Sequence, residues 1–417
     1  MSVNLAADEL GAGALDWLVD SSTRTASGLA WTGTPDDPEL DPTLYSGGAG
    51  IVLAMLEGYR HFGNDRYAGV AVRGSHVIAE AVDLWEHCGL YSGLAGMTVA
   101  LDAVHRSLGD RTARDGARRG LSRLHAAFNG ERWSDQVELM GGNAGIALAA
   151  LMAGDTELAT KAVTPYTWMA EPTAAGVTWE VRAGLGPRFH HISHGTLGIA
   201  YALASVGRAT GRDDFTDLAL AGTADVVARN ETDEAGFLVP HSDPQHLPEL
   251  VERYSYGWCH GPAGDAQLFR HLHALTGGDE WSILTDRCWH TVTHSGLPER
   301  LRPGFWDNNG RCCGTAGVLA LACDRHVELG GDLSFARRLV RDLAERATVD
   351  QDGARWSNVE HRATPSTLQP RRGWAMGSAG IARELLRFTR ISQGGDASYA
   401  FQWPDQPIAH PVAACGV

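Results

Sequence analysis

The chain has no apolar run approaching the roughly 20 residues that cross a bilayer, and no signal-peptide pattern at its start. Those absences exclude a spanning helix and predict a soluble, cytoplasmic protein. Proline/serine-rich linkers and low-complexity tracts are also missing, so nothing divides the 417 residues into separate modules. A basic surplus is missing too. The formal net charge of −15 disfavours nucleic acid or an anionic membrane as a partner. The cysteine count, seven, is odd, which in a cytoplasmic chain argues against a disulfide framework.

What is there is a repeat. The turn Gly-x-x-Gly begins at Gly47, Gly93, Gly142, Gly195, Gly261, Gly314 and Gly377, at spacings of 46, 49, 53, 66, 53 and 63 residues. Each copy opens a stretch of small and aliphatic residues, such as Gly50-Ile51-Val52-Leu53-Ala54-Met55-Leu56. Glycines at 63, 109, 154, 277 and 330 stand where helix C-terminal caps are expected. Apolar residues recur at helical spacing, and no alternating strand pattern is seen. A period near 50 without strands fits one helix hairpin per repeat. Seven hairpins make an open solenoid or a closed ring. In a ring the inner helices are shielded on both sides and should be unusually apolar and small. The stretch Ala144-Gly145-Ile146-Ala147-Leu148-Ala149-Ala150-Leu151 meets that demand. The expectation is an all-α fold, a closed α/α toroid of about seven hairpins spanning residues 1–417 as one domain. Ser21–Asp41 and Glu231–Leu250 read as extended surface segments. Closure gathers the glycine turns at one end, around one cavity.

Three of the seven cysteines occupy equivalent turns: Cys259 in Trp-Cys-His-Gly, and Cys312 and Cys313 in Cys-Cys-Gly. They are either chance buried thiols, a strained disulfide between neighbours, or thiolate ligands for a soft cation. Gathered together they would make a zinc site with one position open for a substrate. Cys88, Cys288 and Cys323 fall in helix-like stretches and read as buried small hydrophobes, whereas Cys415 lies in a C-terminal tail.

The ordered set Ser193-His194-Gly195, Trp258-Cys259-His260-Gly261 and Cys312-Cys313-Gly314, with the repeated turn from about Tyr45 to Gly377, resembles the lanthionine synthetase C-like family. The resemblance implies an α/α toroid with one zinc ion at one end. It implies a cyclase that adds peptide cysteine thiols to dehydroalanine or dehydrobutyrine, closing lanthionine rings in lanthipeptides. Cys259 and Cys312 match the family's first two zinc ligands. Cys313 stands where many members have a histidine, as in the subset with a Cys-Cys-Gly turn. His194 matches the active-site histidine. Glu138 matches an acidic position, and His260 a cavity-facing residue beside the first ligand. His190 and His191 match nothing and read as structural. Where family members carry an arginine four residues before the first zinc cysteine, this chain has Ser255, with Arg253 the nearest base. The implied partners are a dehydrated precursor peptide and, transiently, a separate dehydratase. Two other activities fit the same residues. One is addition of glutathione or another small thiol to dehydroamino acids; the other is a non-catalytic, zinc-stabilised toroid that binds a peptide.

Overall fold

The structure is a computed structural model that describes residues 3–249, 251–302, 305–360 and 366–402; Cys415 lies outside them. After α1 (Val3–Asp20) the helices come in hairpins: α2 (Gly48–Phe62) with α3 (Asp65–Ala81), and α4 (Leu94–Leu108) with α5 (Arg111–Ala127). Next come α6 (Asn143–Met152) with α7 (Thr156–Val163), the single turn α8 (Tyr166–Met169), and α9 (Thr196–Thr210) with α10 (Asp213–Val227). Then follow α11 (Pro262–Thr276) with α12 (Asp279–His294), α13 (Thr315–Leu329) with α14 (Ser334–Arg346), and finally α15 (Ser378–Ser392), which packs on α1.

The first helix of each hairpin touches the first helix of the next, from α2 through α4, α6, α9, α11 and α13 to α15, and α15 touches α2. The ring is therefore closed, not an open solenoid. Burial follows the two positions. In α9 every residue from Thr196 to Gly207 is buried, because neighbours flank an inner helix on both sides. In the outer α14 the buried residues are Ala336, Leu339, Val340 and Leu343, one stripe at helical spacing.

The Gly-x-x-Gly turns take glycine for lack of room. A Cβ at Gly261 would overlap the Ser255 carbonyl, and one at Gly264 the Trp258 carbonyl. At the far ends of the inner helices, Gly63, Gly109, Gly277 and Gly330 are left-handed caps at φ from 63° to 72°, and Gly211 is a further one. Gly154, at φ 78°, sits one residue beyond the cap of the shorter α6.

Two expectations need correction. Cys88 is buried but lies in the loop before α4, not in a helix. The chain also holds short antiparallel ribbons, such as Ala347–Asp350 paired with Gly353–Trp356. Strands of two to four residues are too short to show alternation in a sequence. One ribbon, Thr23–Arg24 with Leu29–Ala30, lies in the segment expected to be extended; it buries Leu29 and Ala30, and Trp31 beside it.

Candidate metal centre and active site

The residue two places before each turn carries the ring's internal bonding. Backbone N–H groups donate to carbonyls from Tyr45 to Tyr91, Tyr91 to Met140, Ser193 to Cys259, Cys259 to Cys312, Cys312 to Ala375, and Ala375 to Tyr45, at 2.8–3.2 Å. The circuit lacks one link, between Met140 and Ser193. There the Met140 N–H donates at 2.5 Å to the Glu138 carboxylate instead.

That break has a cause in the repeat. The residue four before one turn packs against the residue just before the next. Glycine fills the first place at Gly89 (against Gly141), Gly257 (against Cys313), Gly310 (against Met376) and Gly373 (against Ser46). In the third repeat the place is taken by Glu138, and its Oε2 lies 3.3 Å from His194 Nδ1 of the fourth. In the fourth it is taken by His191, whose ring meets His260 of the fifth, centroids 6.3 Å apart. Two of the three departures from glycine, Glu138 and His191, thus carry polar chemistry; the third, Thr43, stands before the first turn.

Glu138 is buried, accepting N–H bonds from Met140 and from Gly141 (3.0 Å) while facing His194. A carboxylate on Nδ1 fixes the imidazole and leaves Nε2 for the cavity. His194 lies deep in the protein, yet 42% of its side chain is open to that cavity. Burial works against its charged form, but the Glu138 carboxylate, and then Cys312, raise its pKa above the usual histidine value. His260 stacks on His194 at 5.4 Å and 19°, and His241 sits 3.9 Å from His260. Burial, with His241, His194 and His191 as neighbours, holds His260 well below the ordinary value, so it is neutral. His191 is fully buried with Nδ1 2.7 Å from Asp265 Oδ2, a supporting place beneath His260.

The three turn cysteines converge. Cys259 Sγ is 3.0 Å from Cys313 Sγ, and Cys313 Sγ is 3.4 Å from Cys312 Sγ. Among the described residues these three form a cluster able to hold a metal ion, with no fourth histidine, cysteine or carboxylate in it. Hydrogen bonds with Cys259 and then Cys312 hold the Cys313 thiol well below its usual value against burial. Cys259 is pushed well above by its bonds to Cys312 and Cys313 and by burial. For Cys312 the bond with Cys259 lowers the value, but the Cys313 bond and burial prevail and raise it. The bonds among the three sulfurs thus favour the thiolate at Cys313 over Cys259 and Cys312.

One cavity borders the sulfurs and a second borders His194. The first, of about 450 Å3, is lined by Cys259, Cys313, His260, His241, Ser255 and Arg253, with Tyr256 and Phe305. The other, of about 390 Å3, is lined by His194, Tyr45, Met140, Gln136 and Trp85. The six residues singled out in the sequence, Glu138, His194, Cys259, His260, Cys312 and Cys313, therefore meet at one end of the ring. Arg253 borders the first cavity, but its guanidinium is held at 2.5 Å by Glu231. Sequence reasoning passed over Tyr45 and His241. Tyr45 stands two residues before its own turn, the place Cys259 and Cys312 take in theirs, so the repeat did mark it. His241 lies in a connection between repeats and carried no such mark.

The sequence profile of the lanthionine synthetase C-like protein family matches residues 38–248 and 245–329, well over half of the chain. The chain belongs to the lanthionine synthetase C-like family. No curated protein matches it in sequence. Among solved structures, nisin cyclase aligns at 16% identity over 88% of this chain and 91% of its own, with a TM-score of 0.64. An unsaturated glucuronyl hydrolase specific for heparin aligns at 12% identity over 95% and 100%, TM-score 0.53. The GH76 α-mannanase of Bacteroides thetaiotaomicron aligns at 9% identity over 94% and 97%, TM-score 0.51. At such identities these likenesses show a shared α/α toroid and nothing about chemistry.

Proposed function

We propose that this lanthionine synthetase C-like protein is a zinc-dependent cyclase that closes lanthionine or methyllanthionine rings in a dehydrated peptide. The observation that carries the reading is the three-sulfur cluster beside the Glu138–His194 pair. Sulfurs held about 2.3 Å from a tetrahedral zinc lie roughly 3.8 Å apart, so the cluster is drawn to within about 1 Å of that spacing. Thiolate donors suit zinc, and a three-ligand protein set leaves the open position of a catalytic site. Zinc there would take the substrate cysteine as fourth ligand and deprotonate its thiol, whose free pKa is about 8.5.

The chain's own residues supply the rest. The cavity at Cys259 and Cys313 and the one at His194 give a peptide room to bring a dehydroalanine β-carbon near the attacking sulfur. Addition forms the carbon–sulfur bond and leaves an enolate, which needs one proton at its α-carbon. His194, whose charged form Glu138 favours, donates that proton from Nε2 and is recharged through solvent by the proton the substrate thiol gave up, so none is gained or lost overall. His260, neutral and stacked beside it, donates a hydrogen bond to the enolate oxygen. The peptide arrives already dehydrated, in our reading from a separate dehydratase that contacts this protein transiently.

Addition of glutathione or another small thiol to a dehydroamino acid would use the same groups, and Ser255, where relatives carry an arginine, leaves that place in the cavity at Cys259 without the cation that would orient a peptide. A purely structural zinc is disfavoured by the missing fourth protein ligand among the described residues. Metal analysis and ring formation in two variants separate the roles. Cys259→Ala is expected to lose zinc and activity together. His194→Ala is expected to keep a full equivalent of zinc and lose ring formation by about 10²–10⁴-fold, the range of general acid catalysis. Loss of zinc from His194→Ala would make it a ligand and overturn the assignment.

A further inference from the structure

An apolar cavity of about 310 Å3 is unclaimed by the chemistry above. It is lined by Leu29 and Trp31 at the end of the first ribbon and by Val77, Ile78 and Ala81 on the last turns of α3. Its base is fixed, since Trp31 is buried and its indole N–H donates to the Leu18 carbonyl at 2.6 Å. Its rim is not covered: Leu84 is 83% exposed and Leu40 43%. Between residues 6 and 167 these two are the exposed large apolar side chains. A single exposed leucine needs no explanation, but two at the lip of one apolar groove mark a surface built to be covered.

The groove adjoins the site. A further cavity, of about 490 Å3, shares Leu40, Asp41 and Trp85 with the groove, and Asp41, Tyr45, Ser46 and Trp85 with the cavity at His194. Asp41 and Trp85 thus line all three. Both are held in place: the Trp85 indole N–H donates to the Ser92 carbonyl at 3.1 Å, and Asp41 accepts the Thr43 N–H at 2.7 Å. The middle cavity presents Asp37, Glu39 and Asp41 against one base, Arg371, which in a chain of net charge −15 turns away an anionic lipid surface. A peptide held at His194 meets the groove at a raised effective concentration, so its own flank is the favoured occupant. We propose, on the peptide-cyclase reading of the site, that the groove at Leu84 is a docking subsite for the substrate. It takes an apolar side chain from the stretch beside the dehydroamino acid while that residue lies at His194.

The probe is a fluorescein-labelled dehydroalanine peptide whose cysteine is replaced by serine, so that it binds the full chain without reacting. It is made with a Leu-Phe-Leu flank, or with Ser-Ser-Ser in its place, on either side and behind Gly-Ser spacers of graded length. In anisotropy titrations the apolar flank should tighten binding about tenfold at the best spacer, as expected for burying part of a large apolar side chain. Leu84→Glu with Leu40→Glu, both at exposed positions, should remove that gain and leave the serine-flanked peptide's Kd unchanged. Equal affinity for the two flanks at every spacer, or a gain that survives in the double variant, would overturn the inference. So would a wild-type dimer that the two substitutions make monomeric, with no effect of the flank, since the groove would then belong to a second copy. Ring closure of the cysteine-bearing peptide, measured alongside, separates these failures from that of the cyclase reading. Rings formed without any flank effect overturn the subsite alone, and no rings from the wild type would overturn both.

Discussion

At the scale of the residue, the site differs from its surroundings by a few departures from a monotonous turn. Where glycine sits four residues before the turn, two neighbouring turns simply touch; where Glu138 sits there, a carboxylate reaches the next repeat's histidine. Cys313 is the departure with the clearest electronic consequence. A third thiolate in place of a neutral ligand weakens the cation's acidity but leaves the substrate sulfur richer in electrons and more nucleophilic. Cys313→His should therefore retain zinc and close rings more slowly; an unchanged or faster single-turnover rate with the same peptide would refute the argument. The three cysteines were legible in the sequence because they sit in equivalent turns, whereas His194 and Glu138 were marked by the resemblance to the lanthionine synthetase C-like family. His241 was not, since its place against His260 is made by a connection that belongs to no repeat.

Elements impose their own constraint, because each inner helix begins where its turn is clamped against a carbonyl. The clamp aims the residue before the turn at the cavity. Gly264→Ala, which drives a methyl group into the Trp258 carbonyl, should cost about 2–3 kcal/mol of stability and lower zinc affinity by displacing Cys259. Gly69→Ala on the outer helix α3, with nothing within 4 Å of the added carbon, should instead stabilise by roughly 0.5–1 kcal/mol. Chemical denaturation of the two variants checks both signs. The helices and their caps were legible because a stretch buried on all sides and a stretch with one apolar stripe leave different patterns. The ribbons were not, being shorter than any period they could display.

In the whole molecule, ring closure brings residues of repeats three, four, five and six together at one end and buries an ion cluster between the inner helices. There Asp324 of α13 holds Arg270 of α11 at 2.8 Å and Arg387 of α15 at 2.6 Å, all three nearly buried. Tyr399 closes over them, its hydroxyl 2.7 Å from Glu384, with the Arg383 guanidinium 3.5 Å from its ring centre. The closed core also buries histidines outside the site. Burial and the nearby Arg208 lower His271, which bonds Ser205 at 3.2 Å, to a pKa of about 4. Its folded value lies below the unfolded value of about 6.5, so between the two the unfolded chain binds a proton that the folded chain refuses. Stability is level above that window and falls as pH drops through it, by about 2 kcal/mol at pH 5 from this residue. Urea titrations at pH 7.5 and pH 5 should show His271→Gln losing correspondingly less stability on acidification than the wild type; equal losses would contradict the assignment.

The central claim is that a metal site and one histidine join a peptide's own thiol to its own dehydroamino acid. The direct measurement is to quantify zinc in the purified protein, then add a dehydroalanine peptide carrying an internal cysteine, with glutathione as competitor. The account predicts one zinc per chain and a product of unchanged mass that resists thiol alkylation, lost on chelation and in His194→Ala. A glutathione adduct as the main product, or bound zinc with neither product, would contradict it.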